Sequence, residues 1–351
     1  IACKTGLTFA LLTSYSFGSG GSKAASIFVP VVNLGWYTIQ AATYGHFVAQ
    51  VFNLDHVGEG VCMAASAIIM GIFAMFGISA ITILGYIAIP AIVFLSIATA
   101  IRSLGVIGGV DALFSYVPAT DMPLFTGITA VIGTWILSTA TCIADIMRYA
   151  KDTKAAVSAT LTGLLGGNIL MIVCGAIAAI SMQNSDLTVI LLGFGLVIPS
   201  LILMTTNIFT TNAANLYSTS LNLSNAFKME RKKMLSILLA LSALATLTEP
   251  YKIGFLFTFL DILGTVVPPL SGIILSDYFL VHKGSYAAYD KAQFCKWNPV
   301  PWITWAISIA LVYMVPFGLP SLNGIILGSV IYTVLMALSK QRVTTSVASE
   351  E

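Results

Sequence analysis

Charge is the scarcest property of this sequence. Asp, Glu, Lys and Arg make up 9% of 351 residues, against roughly a quarter in a soluble domain, so the surface of an ordinary water-soluble fold cannot be built from it. Histidine is as rare: His46, His56 and His282 stand in separate regions with no carboxylate cluster around them. A membrane-embedded enzyme needs a nucleophile with its base, or gathered His, Asp and Glu, and neither occurs, so the chain is read as no enzyme. Five cysteines, Cys3, Cys62, Cys142, Cys174 and Cys295, are scattered and form no CxxC pair, which argues against a disulfide framework or a zinc site. They are expected to be reduced packing residues. There is no tandem repeat or filter-like segment of the kind that builds a channel, and no linker or second domain. The chain opens on Ile1 with a polar stretch after it, so no signal peptide is read and the N-terminus is read as cut.

Apolar length is what the sequence has in abundance. Hydrophobic residues make up 58% of it and mean hydropathy is +0.94. Runs of about twenty apolar residues, enough to cross the hydrocarbon layer, fall at 25–51, 60–77, 80–101, 126–149, 157–182, 198–217, 234–250, 253–280, 300–316 and 319–339. The expectation is an all-α membrane protein of about ten transmembrane helices, one domain over 1–351, multi-pass in the inner or plasma membrane. Placing a polar loop from Lys4 to Lys23 in the cytoplasm and alternating from there puts all 16 basic residues inside except Arg102 and Lys252, as the positive-inside rule requires. Residues 186–197 are too many to share a span with the run that begins at Ile198 and Pro199, and are expected to form an external helix over the bundle. Gly133 and the pair Pro268-Pro269 interrupt two spans, and broken helices in a membrane usually line a protein-enclosed cavity.

Five ordered segments resemble motifs of bacterial cytosine permeases: KTGLTFALLTSYSFG (4–18), FGISAITILGYIAIPAI (76–92), ADIMRY (144–149), NIFTTN (207–212) and VVPPLSGIILSDYFL (266–280). That resemblance implies the nucleobase-cation symporter family and a leucine-transporter-type fold of two inverted five-helix repeats, with substrate and ion bound near the midplane between discontinuous helices one and six. The family has twelve spans and the match begins at the end of the second, so this chain would hold spans three to twelve: 25–51 the third, 126–149 the sixth, 198–217 the eighth. With the first span missing, residues 1–351 alone are expected not to transport.

The resemblance also nominates a site. Asn207, Thr210 and Thr211 stand at i, i+3 and i+4 on one helix face. The Asn207 carbonyl and two hydroxyls would supply half of a sodium site with hard oxygen ligands and no buried negative charge. The bland alternative is that both threonines bond back to carbonyls one turn earlier. Sodium is the coupling ion expected, with no other cofactor. Trp36 and Trp135 match the positions whose aromatic faces sandwich the base, and stacking is worth about 1–3 kcal/mol per base. Gln40, one turn from Trp36, would read a ring edge, as would the amides of Asn212 and Asn215. Thr134 and Ser138 would add hydrogen bonds, and Gly133 would let the backbone approach.

Three features depart from the cytosine carriers: Gln40 where they have glycine, Trp135 where they have phenylalanine, and Ala213-Ala214 where Asp-Asn is common. They keep open a proton-coupled carrier of purines, allantoin or a related heterocycle. The partners expected are thus a nucleobase and the lipid bilayer, with no nucleic acid, in a monomer. Asp145 is expected to pair with Arg148 at i, i+3, Asp261 to bind a cation or be paired structurally, and His46 to be a packing residue.

Overall fold

The computed structural model describes residues 1–76, 78–118, 123–125, 127–128, 143–184, 190, 192–195, 197–315, 317–339 and 344–346. Its spine is helix α1 (Phe9–Val51, 43 residues), about 65 Å long at 1.5 Å per residue. This corrects the expected polar loop between Lys4 and Lys23, most of which is helix. The polarity there is mainly Ser, Thr and Tyr, which a helix absorbs: Thr13 Oγ1 donates to Ala10 O at 2.8 Å and Ser22 Oγ to Ser19 O at 3.2 Å. At Gly18 the helix breaks, with φ 80° and ψ 170°, a conformation that favours glycine. The backbone groups freed by the break are taken up by the segment 295–298. Ser19 N donates to Cys295 O at 2.9 Å, Gly20 N to Lys296 O at 2.8 Å, Asn298 N to Phe17 O at 3.1 Å and Asn298 Nδ2 to Ser16 O at 2.7 Å. Any Cβ at Gly18 would lie 2.5 Å from Cys295 O.

After α1 come α2 (His56–Met75), capped by Asp55 accepting from Gly58 N, and α3 (Ile78–Ile107). A helical stretch at 143–147 precedes α4 (Thr153–Met182), which widens into a π-turn at its glycine-rich Thr162–Asn168. Then follow α5 (Val197–Phe227), α6 (Arg231–Thr246), α7 (Ile253–Val266), α8 (Pro268–Ser276), α9 (Val300–Met314) and α10 (Pro320–Ser339). Among the described residues, five segments are long and apolar enough to cross a membrane: His56–Met75, Ile81–Ile107, Thr153–Met182, Gly254–Val281 and Pro320–Ser339. The expected spans 25–51 and 198–217 lie inside α1 and α5, which carry many Ser, Thr and Asn residues, and α9 is a shorter apolar helix. Of the expected span 126–149, the described residues are 127–128 and 143–149. Within 186–197 the described part includes Ile190 and Phe194, which pack against Ala178, while Arg102 donates to Phe194 O at 2.9 Å.

Two packs of helices share α1. On one side Tyr37, Phe47, Met70, Leu216 and Leu235 join it to α2, α5 and α6; on the other Phe17, Val29, Ile273, Val300 and Tyr332 join it to α8, α9 and α10. Lipid is as apolar as leucine, so such helices associate through close packing and hydrogen bonds rather than by escaping water. Gly272 and Gly328 accordingly let α8 and α10 approach until an added Cβ would overlap Ile325 O or Pro269 O.

The double proline between α7 and α8 is a break, as expected, but its freed carbonyls are served by neighbouring helices. Pro268 has no N–H for Gly264 O, which accepts instead from Ser321 Oγ at 3.3 Å. Leu270 N turns to Val267 O, and the released Val266 O accepts from Trp305 Nε1 at 2.7 Å. The other face of α8, at Ser271, Ile274 and Leu275, borders an apolar groove of about 420 Å³ shared with Phe9, Leu12 and Met147.

His46 is more than packing. Its Nδ1 lies 2.7 Å from Glu59 Oε1, Tyr251 OH donates to the same oxygen at 2.9 Å, and the His46 and Tyr251 rings stack at 4.3 Å. At the opposite end, the fully buried Asp277 accepts from Tyr332 OH at 2.7 Å and Tyr286 OH at 2.6 Å, with His282 Nδ1 3.4 Å away. Tyr286 stacks on Tyr15 of α1 at 3.8 Å, so this cluster ties the segment after α8 to the region of the Gly18 break. Burial lowers the His282 pKa, but hydrogen bonding to Asp277 and its charge outweigh burial and raise it above 6.5. A raised folded-state pKa means that the stabilisation is fully present below pH 6.5 and is lost as pH rises through the higher folded value. The thermal unfolding midpoint in detergent is therefore expected to fall over that rise, and His282→Gln to flatten the slope; an unchanged slope would show that this pair does not hold the segment.

Candidate functional site

Trp36 sits mid-way along α1, 8% exposed, with Phe259 of α7 edge-on at 5.5 Å and Val32, Leu263 and Val267 around it. Packing thus fixes the ring, but its Nε1 is buried without a hydrogen-bond partner among the described residues. Gln40 comes one turn later, and its Oε1 is buried in the same condition. From α5, the fully buried Asn212 donates through Nδ2 to Tyr37 O at 3.2 Å and to Met70 Sδ at 3.2 Å, while its Oδ1 has no partner among the described residues. Leaving a buried polar atom unpaired costs about 1–3 kcal/mol. One N–H donor and two carbonyl acceptors in that state stand on residues nominated from sequence as substrate contacts. Asn215 is buried on α5 one turn beyond Thr211.

The threonines adopt the bland arrangement. Thr210 Oγ1 donates to Thr206 O and Asn207 O, both at 2.9 Å, and Thr211 Oγ1 to Asn207 O at 3.1 Å. This leaves their oxygens available, because a hydroxyl that gives its proton to a carbonyl keeps two lone pairs. Both threonines and Asn207 are half-buried, so the donor set of neutral oxygens fits a hard monovalent cation. Gly133, Thr134, Trp135 and Ser138 lie outside the described residues.

The polar face of α5 runs on past the nominated residues. Asn207, Thr211, Asn215, Ser218 and Asn222 repeat at helical spacing, and Ser218 and Asn222 end on Asp145: Ser218 Oγ donates to Oδ2 at 2.6 Å and Asn222 Nδ2 to Oδ2 at 2.8 Å. That network was missed in the sequence, although the 3–4 residue spacing of Asn215, Ser218 and Asn222 was its signal. It also corrects the expected Asp145–Arg148 ion pair: the carboxylate turns inward to these donors, and Arg148 Nε reaches only the Asp145 backbone oxygen, at 3.3 Å. Asp261 is exposed and accepts from Thr265 Oγ1 through its backbone oxygen at 3.2 Å.

A family model described as permeases for cytosine/purines, uracil, thiamine and allantoin matches residues 1–336. The cytosine permease of Escherichia coli K12 is 29% identical over 351 residues, all of this chain and 82% of that protein. A hydantoin permease of Microbacterium maritypicum is 28% identical over 56% of this chain and 45% of its own length. The allantoin permease of Bacillus subtilis is 26% identical over 62% and 50%. Among solved structures, the nucleobase-cation-symport-1 transporter Mhp1 matches in a closed, bromovinylhydantoin-bound form at TM-score 0.78 and 18% identity, over 96% of this chain and 80% of that one. Its inward-facing form matches at 0.80 and 20%, over 97% and 79%. The fold is therefore the leucine-transporter-type helical bundle expected.

Because Gln40 Oε1 serves nothing among the described residues, Gln40→Met is expected to leave the thermal unfolding midpoint in detergent unchanged or higher. A loss above about 1 kcal/mol would mean that the amide works for the fold and is not held for a ligand.

Proposed function

The chain belongs to this family of permeases, and from that premise we propose that it imports a nucleobase, cytosine first among the candidates, by sodium symport in an alternating-access cycle. It is a multi-pass membrane transporter rather than an enzyme. The observation that carries the substrate reading is that Trp36 Nε1, Gln40 Oε1 and Asn212 Oδ1 are buried without partners among the described residues. A nucleobase offers a flat face to the indole, a ring carbonyl or nitrogen to its N–H, and amino or ring N–H groups to Gln40 Oε1 and Asn212 Oδ1. A purely apolar ligand would leave them unpaired, and a channel would not need them. The cytosine permease that matches this chain throughout its length supports the same class.

Sodium is proposed on the Thr210 and Thr211 oxygens of one helical turn, whose lone pairs stay free; the Asn207 carbonyl would join them only by giving up a threonine hydroxyl. Ordering this turn and stacking the base on Trp36, with Trp135 as the second face, would favour the closed conformation, and the bundle would then rock about the site. The carrier is proposed to work as a monomer in the inner or plasma membrane, contacting lipid through its exposed apolar faces. A second reading, a proton-coupled carrier of purines, allantoin or a similar heterocycle, is favoured by Gln40 and Ala213-Ala214 together with the allantoin and hydantoin permeases among the relatives.

Uptake of radiolabelled cytosine by cells expressing the full-length protein tests the proposal. The expected result is uptake that needs an inward sodium gradient and falls about tenfold or more, at least about 1.4 kcal/mol, in Thr211→Ala. Trp36→Ala is expected to weaken cytosine binding roughly 5- to 150-fold, as the loss of about 1–3 kcal/mol of stacking implies. Sodium-independent uptake would favour the proton-coupled reading, and no cytosine uptake would favour the bulkier heterocycles.

A further inference from the structure

Asp145 is 0% exposed, and everything that holds its carboxylate is neutral. Oδ1 accepts from Phe9 N at 2.9 Å; Oδ2 accepts from Ser218 Oγ at 2.6 Å and Asn222 Nδ2 at 2.8 Å. Asn222 turns its own Oδ1 to Ala10 N at 3.2 Å, and Thr8 Oγ1 accepts from Leu11 N at 3.4 Å. The first N–H groups of α1, which no helix can satisfy internally, are thus capped by side chains from 143–147, from α5 and from Thr8. The positive end of the α1 dipole points at Asp145. Backbone and amide N–H groups only donate, so both carboxylate oxygens serve as acceptors in this arrangement.

No cation lies within ion-pair distance of that charge among the described residues. Arg148, one turn along, gives its Nε to the Asp145 backbone oxygen at 3.3 Å and its terminal nitrogen to Tyr149 OH, lies 4.5 Å from the Tyr149 ring, and has no carboxylate partner among the described residues. Opposite charges at i and i+3 are natural partners on a helix surface. Here only the carboxylate is turned away, so a second contact is ready if it swings out.

We propose that Asp145 is a positioning residue of the transport cycle. Turned inward, it binds its segment to α1 and α5 and keeps the cytoplasmic path to the site closed; turned outward onto Arg148, it frees the segment and the path opens. This rests on the carrier reading and adds the contact that decides when the inner side opens. The surrounding Lys151, Lys154 and Lys228 place this end in the cytoplasm. Burying a carboxylate costs several kcal/mol, and three donors and a helix dipole offset part of it. Release returns the ion to water and Arg148, while water takes over the freed N–H groups. The exchange trades one set of partners for another, the kind of two-arrangement element that a population shift requires. A hydrophobic contact in this place would stay shut.

Cys3 reports on the movement, since its Sγ donates to Ala150 O at 3.5 Å, beside the segment. In the full-length protein with every other cysteine replaced by Ala, the rate of Cys3 modification by a membrane-impermeant maleimide is measured on inside-out vesicles without substrate. Asp145→Asn, which keeps shape and removes charge, is expected to speed labelling about tenfold, the change given by a shift of about 1.4 kcal/mol. Ser218→Ala is expected to speed it about threefold, and Arg148→Gln, which removes the outer partner, to slow it about threefold. Opposite signs at two residues one turn apart would not come from simple structural damage, which exposes the thiol in both. Unchanged labelling in Asp145→Asn, or acceleration in Arg148→Gln, overturns the proposal. Should Asp145→Asn fail to reach the membrane, Ser218→Ala and Arg148→Gln decide it in the same way. Labelling needs no substrate, so its outcome is independent of whether the unmodified protein takes up cytosine.

Discussion

Inside a bilayer there is no water to serve a backbone group that a helix lets go, so each break in a helix obliges another part of the protein to supply a partner. This constraint organises the molecule. Helix α1 starts on N–H groups capped by Asp145, Asn222 and Thr8, and breaks at Gly18 onto the backbone of 295–298. The α7–α8 junction hands its freed carbonyls to Ser321 and Trp305. Apart from Thr8, these partners lie on other elements, so the breaks are also where the elements are fastened together. Helix interiors close on themselves and can slide or tilt; broken points cannot move without exchanging partners. Motion in this protein is therefore expected to be quantised at those places, as the Asp145 network illustrates.

Trp36 Nε1, Gln40 Oε1 and Asn212 Oδ1 share their lack of a partner among the described residues with Ser224, Trp302, Thr304 and Ser308, but they are the ones that fall on residues nominated for substrate. Trp36 is positioned by α7, Asn212 by Tyr37 and Met70, and Gln40 by its place one turn from Trp36. Rigid helices thus hold the proposed recognition atoms in place, an arrangement that would lower the ordering cost of binding. The cation ligands differ in kind: Thr210 and Thr211 are already satisfied by carbonyls of their own helix. An ion would take lone pairs that this bonding leaves free, so its binding need not disrupt the helix.

Much of this was legible in the sequence, for identifiable reasons. Hydropathy is a sum over composition, so the long apolar runs declared themselves, and proline and glycine marked where helices must break. The nominated Trp36 and Asn212 proved buried, as did the side-chain oxygen of Gln40, each with an atom turned away from ordinary partners. Other features were hidden because spacing reports neighbours on one helix and nothing about partners on another. Asp145 and Arg148 at i, i+3 look paired until α5 presents Ser218 and Asn222 as buried donors to the carboxylate. His46 likewise looked inert because Glu59 and Tyr251 come from elsewhere in the chain. The Ser- and Thr-rich start of α1 was read as a loop because hydropathy counts a hydroxyl as polar even when it is spent on the helix's own carbonyl.

The most direct measurement is an experimental structure of the full-length protein with cytosine and sodium bound. The expected result has the ring against Trp36, its edge on Gln40 Oε1 and Asn212 Oδ1, and the ion on the Thr210 and Thr211 oxygens. A base bound elsewhere, with those three side-chain atoms taken up by other protein groups, would contradict it.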